Sequence, residues 1–98
     1  MAHYIVLSKF TDEGARSIRD IGKMIAANNK VAASQGVKVT RYFTMGEYDL
    51  ISFVEAPTDE AAVLGLVGVN SRGHLRTTTV KAFTEKEFLG IVAKMPKA

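Results

Sequence analysis

Residues His3 to Phe10 (HYIVLSKF) are dense in β-branched and aromatic side chains and predict a strand. The spacing then changes. Thr11-Asp12-Glu13 supplies a cap and first-turn carboxylates, and apolar residues follow at Ala15, Ile18, Ile21, Met24, Ile25, Val31 and Ala32. Most of these steps are three or four residues, the stripe of a helix buried along one side. Gly14 and Gly22 weaken its early turns and predict a kink or break near Asp20–Gly22, while Gln35-Gly36 offers a left-handed cap. Val37 to Met45 (VKVTRYFTM) returns to alternation, Gly46 marks a turn, and Tyr48 to Ala56 (YDLISFVEA) reads as the returning strand of a hairpin. Pro57-Thr58-Asp59-Glu60 ends that strand and opens a second helix, about Asp59 to Val69, with Ala62, Val63, Leu66 and Val67 turned inward. Asn70 to Gly73 is a loop, and Leu75 to Phe83 (LRTTTVKAF) is the fourth strand. Thr84-Glu85-Lys86-Glu87 has capping-box spacing ahead of Phe88, Leu89, Ile91 and Val92, which predicts a short C-terminal helix.

The order β-α-β-β-α-β, with right-handed crossovers, predicts a ferredoxin-like α+β domain. Its sheet is four-stranded and antiparallel in the order 4-1-3-2, with both long helices on one face. No repeat or linker divides the chain, so residues 1–98 read as one domain. Helices cover only one face of such a sheet. Assigning them the more apolar set gives Ile5, Leu7, Val37, Val39, Phe43, Ile51, Phe53, Val80 and Ala82. The opposite face then holds Tyr4, Val6, Ser8, Thr40, Tyr42, Thr44, Tyr48, Leu50, Ser52, Val54, Thr77 and Thr79. This choice pairs Thr40 with Ser52 and Val39 with Phe53 across a turn of Met45-Gly46-Glu47. The second face is rich in hydroxyls yet too apolar to be left in water. Two meanings fit it: packing against a second copy of the chain, or a cleft between two sheets that holds a small ligand. In the second case Tyr4, Tyr42, Tyr48, Ser52, Thr77 and Thr79 are the candidate ligand-binding residues.

Composition narrows the chemistry. There is no cysteine among the 98 residues, which removes disulfides and thiol catalysis and suits a reducing cytoplasm. No apolar run is long enough for a membrane span, and the first residues do not read as a signal peptide. The net charge of +3 comes from thirteen basic and ten acidic residues interspersed along the chain, which does not build a nucleic-acid-binding stripe. The glycines match neither a phosphate-binding loop nor a dinucleotide fingerprint, and no serine sits in a nucleophile elbow. No cofactor is implied. His3 and His74 fall at opposite ends of antiparallel neighbours, so they do not make a two-histidine metal site. His74 falls at the same end as the Gly46 turn, near the mouth of the expected cleft, and is the best acid–base candidate. Tyr48 and Asp49 point to opposite faces; the plainer roles are packing for Tyr48 and, for Asp49, a backbone bond or a pair with Arg41. Glu55 with Arg76, or Arg41 with Asp49, could hold an anion or polarise a carbonyl, although an ion pair between strands is the plainer meaning.

Gly46-Glu47-Tyr48-Asp49-Leu50, followed by Val54-Glu55-Ala56-Pro57-Thr58-Asp59-Glu60-Ala61-Ala62, resembles the GYD-domain family. So do Thr11-Asp12-Glu13-Gly14, Gly73-His74-Leu75-Arg76-Thr77-Thr78-Thr79 and Ala82-Phe83-Thr84, with His74 where the family more often has Asn. The resemblance spans about residues 3 to 88 and implies a fold of the dimeric α/β-barrel type. It implies no particular reaction. The expected function is therefore a cytoplasmic homo-oligomer that binds a small molecule in a cleft at the open sheet face. A cofactor-independent enzyme, monooxygenase- or isomerase-like, and a purely structural assembly module are the alternatives.

Overall fold

The computed structural model describes residues 1–97. Strands β1 (Ala2–Phe10), β2 (Lys38–Phe43), β3 (Leu50–Ala56) and β4 (Leu75–Ala82) form one antiparallel sheet in the order β2-β3-β1-β4. Helix α3 (Asp59–Ser71) links β3 to β4, and α4 (Glu85–Val92) follows β4. The first crossover is divided into α1 (Asp12–Arg16), one 3-10 turn (Ile18–Asp20) and α2 (Ile21–Ser34). The ferredoxin-like architecture and the terminal helix are thus those expected.

Three threonines start the helices. Thr11 accepts from the Gly14 N–H at 3.0 Å, Thr58 from Ala61 at 3.1 Å and Thr84 from Glu87 at 3.1 Å. Glu87 returns the bond, accepting from the Thr84 N–H at 2.8 Å and completing the capping box. The break in the first crossover falls at Ser17, slightly before the expected Asp20–Gly22. Gly14 lets α1 seat against the start of β4: a Cβ there would lie 2.1 Å from the His74 carbonyl oxygen. Only glycine lets the two backbones approach so closely. The seam is completed by Thr11, whose N–H donates to His74 O at 3.1 Å and whose hydroxyl donates to Gly73 O at 2.6 Å.

The hairpin register differs from expectation by one residue. Val39 faces Val54, Thr40 faces Phe53 and Arg41 faces Ser52. The Thr44 N–H donates to Asp49 O at 2.9 Å and closes a loop of Met45, Gly46, Glu47 and Tyr48, one residue longer than expected. A one-residue slip reverses the face of a strand relative to its neighbour. The expected assignment accordingly holds for β2 and is inverted for β1, β3 and β4. Tyr4, Val6, Ser8, Leu50 and Ser52 are buried beneath the helices. Ile5, Leu7, Ile51, Phe53, Val80 and Ala82 stand instead on the free face with Thr40 and Tyr42.

The buried cluster is small: Tyr4, Ala56, Ala61 and Ala62, with Ala2, Val37 and Val54 packed against it. On α3 the inward residues include Ala61 and Ala62, whereas Val63 and Val67, expected inside, are 53% and 61% exposed. No residue of α2 is fully buried. The molecule is a slab of 56 × 32 × 18 Å with a radius of gyration of 15.6 Å. A compact chain of this length would give about 13 Å. Helix α4 carries exposed Phe88, Leu89, Ile91 and Val92. No helix among the described residues is long and apolar enough to cross a membrane.

Candidate functional site

Two surfaces have functional potential. The first is a cleft of about 350 Å³ between the sheet and helices α2 and α3. Its floor is the alternate set of strand residues, Tyr4, Val6 and Ser8 from β1, Val39 and Arg41 from β2, and Leu50 and Ser52 from β3. Val31 and Ala32 of α2 form part of one wall, and Gly65, Leu66, Gly68 and Val69 of α3 part of the other. The lining is mostly apolar, and Ser8 and Ser52, 2% and 6% exposed, set hydroxyls into its floor.

Gly65 and Gly68 shape the cleft. A Cβ at either would meet no atom within 4 Å, so no close neighbour requires glycine there. Each weakens the helix interior by about 1 kcal/mol relative to alanine. Two guanidiniums also line the cleft. Arg41 donates to Asn29 Oδ1 at 2.6 Å, and Arg72, which caps the end of α3, donates to Asn28 Oδ1. Burial pushes the Arg41 pKa below its ordinary value.

The expected ligand residues divide. Tyr4, Ser52 and Thr77 line this cleft, although on the helix side of the sheet rather than its open side. Thr77 accepts from Asn70 Nδ2 at 2.8 Å. Tyr4 is buried and donates to Asp59, which also accepts from Lys81 at 3.2 Å, so it fastens the start of α3 to β1. The bond holds Asp59 below the usual carboxylate range, with Lys81 adding to the effect, and pushes the Tyr4 phenol up. Thr79 lies on the covered side but outside the cleft lining, and Tyr42 lies on the free face. Tyr48 is in the hairpin loop, its ring 5.4 Å from Lys9 Nζ and its carbonyl accepting from Thr44 Oγ1 at 2.6 Å. It does not enter the cleft.

His74 also lies outside the lining. Its backbone is enclosed by α1, and its Nδ1 is buried with no hydrogen-bond partner. Asp49 takes a backbone role: its carboxylate accepts from the Phe10 N–H at 2.9 Å and its own N–H donates to Ser8 O at 2.9 Å. It thereby fastens the hairpin to the end of β1. Arg41 bonds Asn29 rather than Asp49, and Glu55 lies by His3 at 3.7 Å and Lys38 at 4.0 Å rather than Arg76. Among the described residues no cluster of His, Asp and Glu has metal-site geometry. Of the two arginines the expectations included Arg41, paired with Asp49, and missed Arg72. Arg41 was legible, because it interrupts the apolar set Val37, Val39 and Phe43 on the helix side of β2.

The second surface is the free sheet face. Ile5, Leu7, Ile51, Phe53 and Val80 form its centre, with Phe53 and Val80 each 46% exposed. The Tyr42 and Phe53 rings meet edge to face, centroids 6.0 Å apart at 83°. Around this centre stand His3, Glu55, Lys38, Lys9 and Arg76. His3 Nε2 lies 3.9 Å from Glu87, which brings the start of α4 beside the same face. A recess of about 330 Å³ lies there, lined in part by Ile5, Phe53 and Phe83.

Residues 4–92 match the GYD domain family, and the chain belongs to it. It is 31% identical over 84 residues to the "Glutamine synthetase and cystathionine beta-lyase binding protein" of Thermus thermophilus, covering 84% of this chain and 88% of the relative. No solved structure matches the chain.

Proposed function

We propose that this member of the GYD domain family is a protein-binding domain that assembles with copies of itself through the free sheet face. The observation that carries the reading is the inversion of the sheet, which puts Ile5, Leu7, Ile51, Phe53 and Val80 on the face without helices, the first three half-buried and the last two exposed. An apolar centre ringed by charged residues has the anatomy of an interface, and a contiguous apolar patch of that kind is unusual on a monomer. A sheet face also suits a two-fold contact, because one surface meets its own copy. Protein binding is supported by the relative's name, so glutamine synthetase and cystathionine beta-lyase are the partners to try first.

Sedimentation at micromolar concentration tests the assembly. The expected species has at least twice the monomer mass of 10.7 kDa, and Phe53→Lys reverts to the monomer with an unchanged circular dichroism spectrum. A monomeric wild type overturns the reading. Titration of the two purified enzymes against immobilised wild type tests the partners, and binding to neither removes them.

A second reading, small-molecule binding, is favoured by the cleft. Its polar groups are hydroxyls, amides and guanidiniums, with no carboxylate or histidine in the lining. That set suits holding a ligand better than acid–base turnover, which needs a group that titrates near the working pH.

A further inference from the structure

We propose that the cleft between the sheet and helices α2 and α3 takes a small amphipathic carboxylate, its head between Arg41 and Arg72 and its apolar body over Val6 and Leu50. This rests on the small-molecule reading of the cleft and specifies the class of ligand. A volume of about 350 Å³ is at the lower end of the range for small-ligand sites. The apolar floor and walls suit a hydrocarbon or aromatic body.

The head is indicated by charge. Among the described residues two guanidiniums and no carboxylate line the cleft, and neither arginine is ion-paired. Each is steered by an asparagine carbonyl from adjacent positions of α2, Asn29 for Arg41 and Asn28 for Arg72. A guanidinium has five N–H donors in a planar fork, so most remain for an acceptor. Arg41 is half-buried at the edge of this apolar space and so poorly solvated, which a carboxylate bound through the fork corrects, while Arg72 is exposed and offers a second fork at the rim. Burial lowers the Arg41 pKa in keeping with that shortfall. Gly65 and Gly68 of the same lining keep side chains out of this space, and a Cβ at either would meet no atom within 4 Å.

Calorimetric titration with octanoate, octan-1-ol and acetate tests the assignment. Octanoate and octan-1-ol share the apolar body, and acetate has only the head. Octanoate should bind at least ten-fold more tightly than octan-1-ol, and acetate should not bind at millimolar concentration. Arg41→Gln with Arg72→Gln should reduce octanoate to the level of the alcohol. Gly68→Leu, which meets open space and fills the cleft, should abolish octanoate binding while keeping the circular dichroism spectrum. Equal binding of octanoate and octan-1-ol to the wild type overturns the anion assignment and leaves the ligand cleft standing. Octanoate binding that persists in Gly68→Leu, or no binding of either octyl compound, overturns the cleft itself.

Discussion

The two faces of one sheet are both mixed in chemistry and differ in what covers them. The face under the helices has Tyr4, Ser8, Ser52, Thr77 and Arg41 among its residues, while the face without cover has Ile5, Leu7, Ile51, Phe53 and Val80. An isolated domain that minimised its own exposed apolar area would do the reverse. The difference teaches that the helices bury Tyr4, Val6 and Leu50 but leave Phe53 and Val80 half exposed. The helix side is left with a cleft that has hydroxyls and guanidiniums in a mostly apolar lining, and the free side is left with an apolar centre among charged residues.

The largest expected effect breaks the comparison directly. Leu50→Ala, on the buried side, should lower unfolding stability by about 2–4 kcal/mol, whereas Phe53→Ala should lower that of the dilute monomer by less than about 1 kcal/mol. Denaturant melts of the pair at low and high protein concentration check this. If Phe53→Ala is as damaging as Leu50→Ala at every concentration, the free face is ordinary core. Next comes Asp49→Ala, which removes the acceptor of the Phe10 N–H and should lower stability by about 1 kcal/mol without altering self-association. A change of oligomeric state would instead place the hairpin motif in the interface. Gly68→Ala should raise stability by roughly 0.5–1 kcal/mol, since its Cβ enters open space on a helix. A loss measured by thermal melting would mean that the covered side is tighter than the cleft implies.

The smallest effect is that of Asp59. Its pKa is lowered in the folded chain, first by the Tyr4 hydroxyl and then by Lys81. Its contribution is therefore complete above the unfolded carboxylate pKa, about 4, and is lost as pH falls through the folded value. The raised Tyr4 phenol acts in the opposite window: its contribution is complete below the unfolded phenol pKa and is lost as pH rises through the folded value. Asp59→Asn should flatten the acid side of the stability–pH curve, and an unchanged acid limb would deny the Tyr4–Asp59 link any energetic role.

Element order, strand order and helix caps were legible because each rests on local chemistry: alternation for strands, Thr11, Thr58 and Thr84 for helix starts, Gly36 for the end of α2. The faces were not legible, and the failure has one root. Apolar content ranks the faces of a sheet, but it does not say which cover is a helix and which another protein. The hairpin could have arbitrated, yet Met45-Gly46-Glu47 and Met45-Gly46-Glu47-Tyr48 both offer a glycine, here at φ +118, for the turn. One residue of loop decides the parity of the whole of β2. Of the candidate residues, Tyr4, Ser52 and Thr77 lie along the cleft, but on the helix side of the sheet rather than the open side expected. Asn28, Asn29 and Arg72 were out of reach, because their meeting at the cleft depends on how two helices cross it.

The slab's dimensions, 56 × 32 × 18 Å, have a hydrodynamic consequence. If two slabs stack across their shortest axis, that axis doubles and the longest is almost unchanged. Association would then make the particle rounder. The frictional ratio should fall as the mass doubles, so the sedimentation coefficient should rise more than it would for two bodies joined end to end.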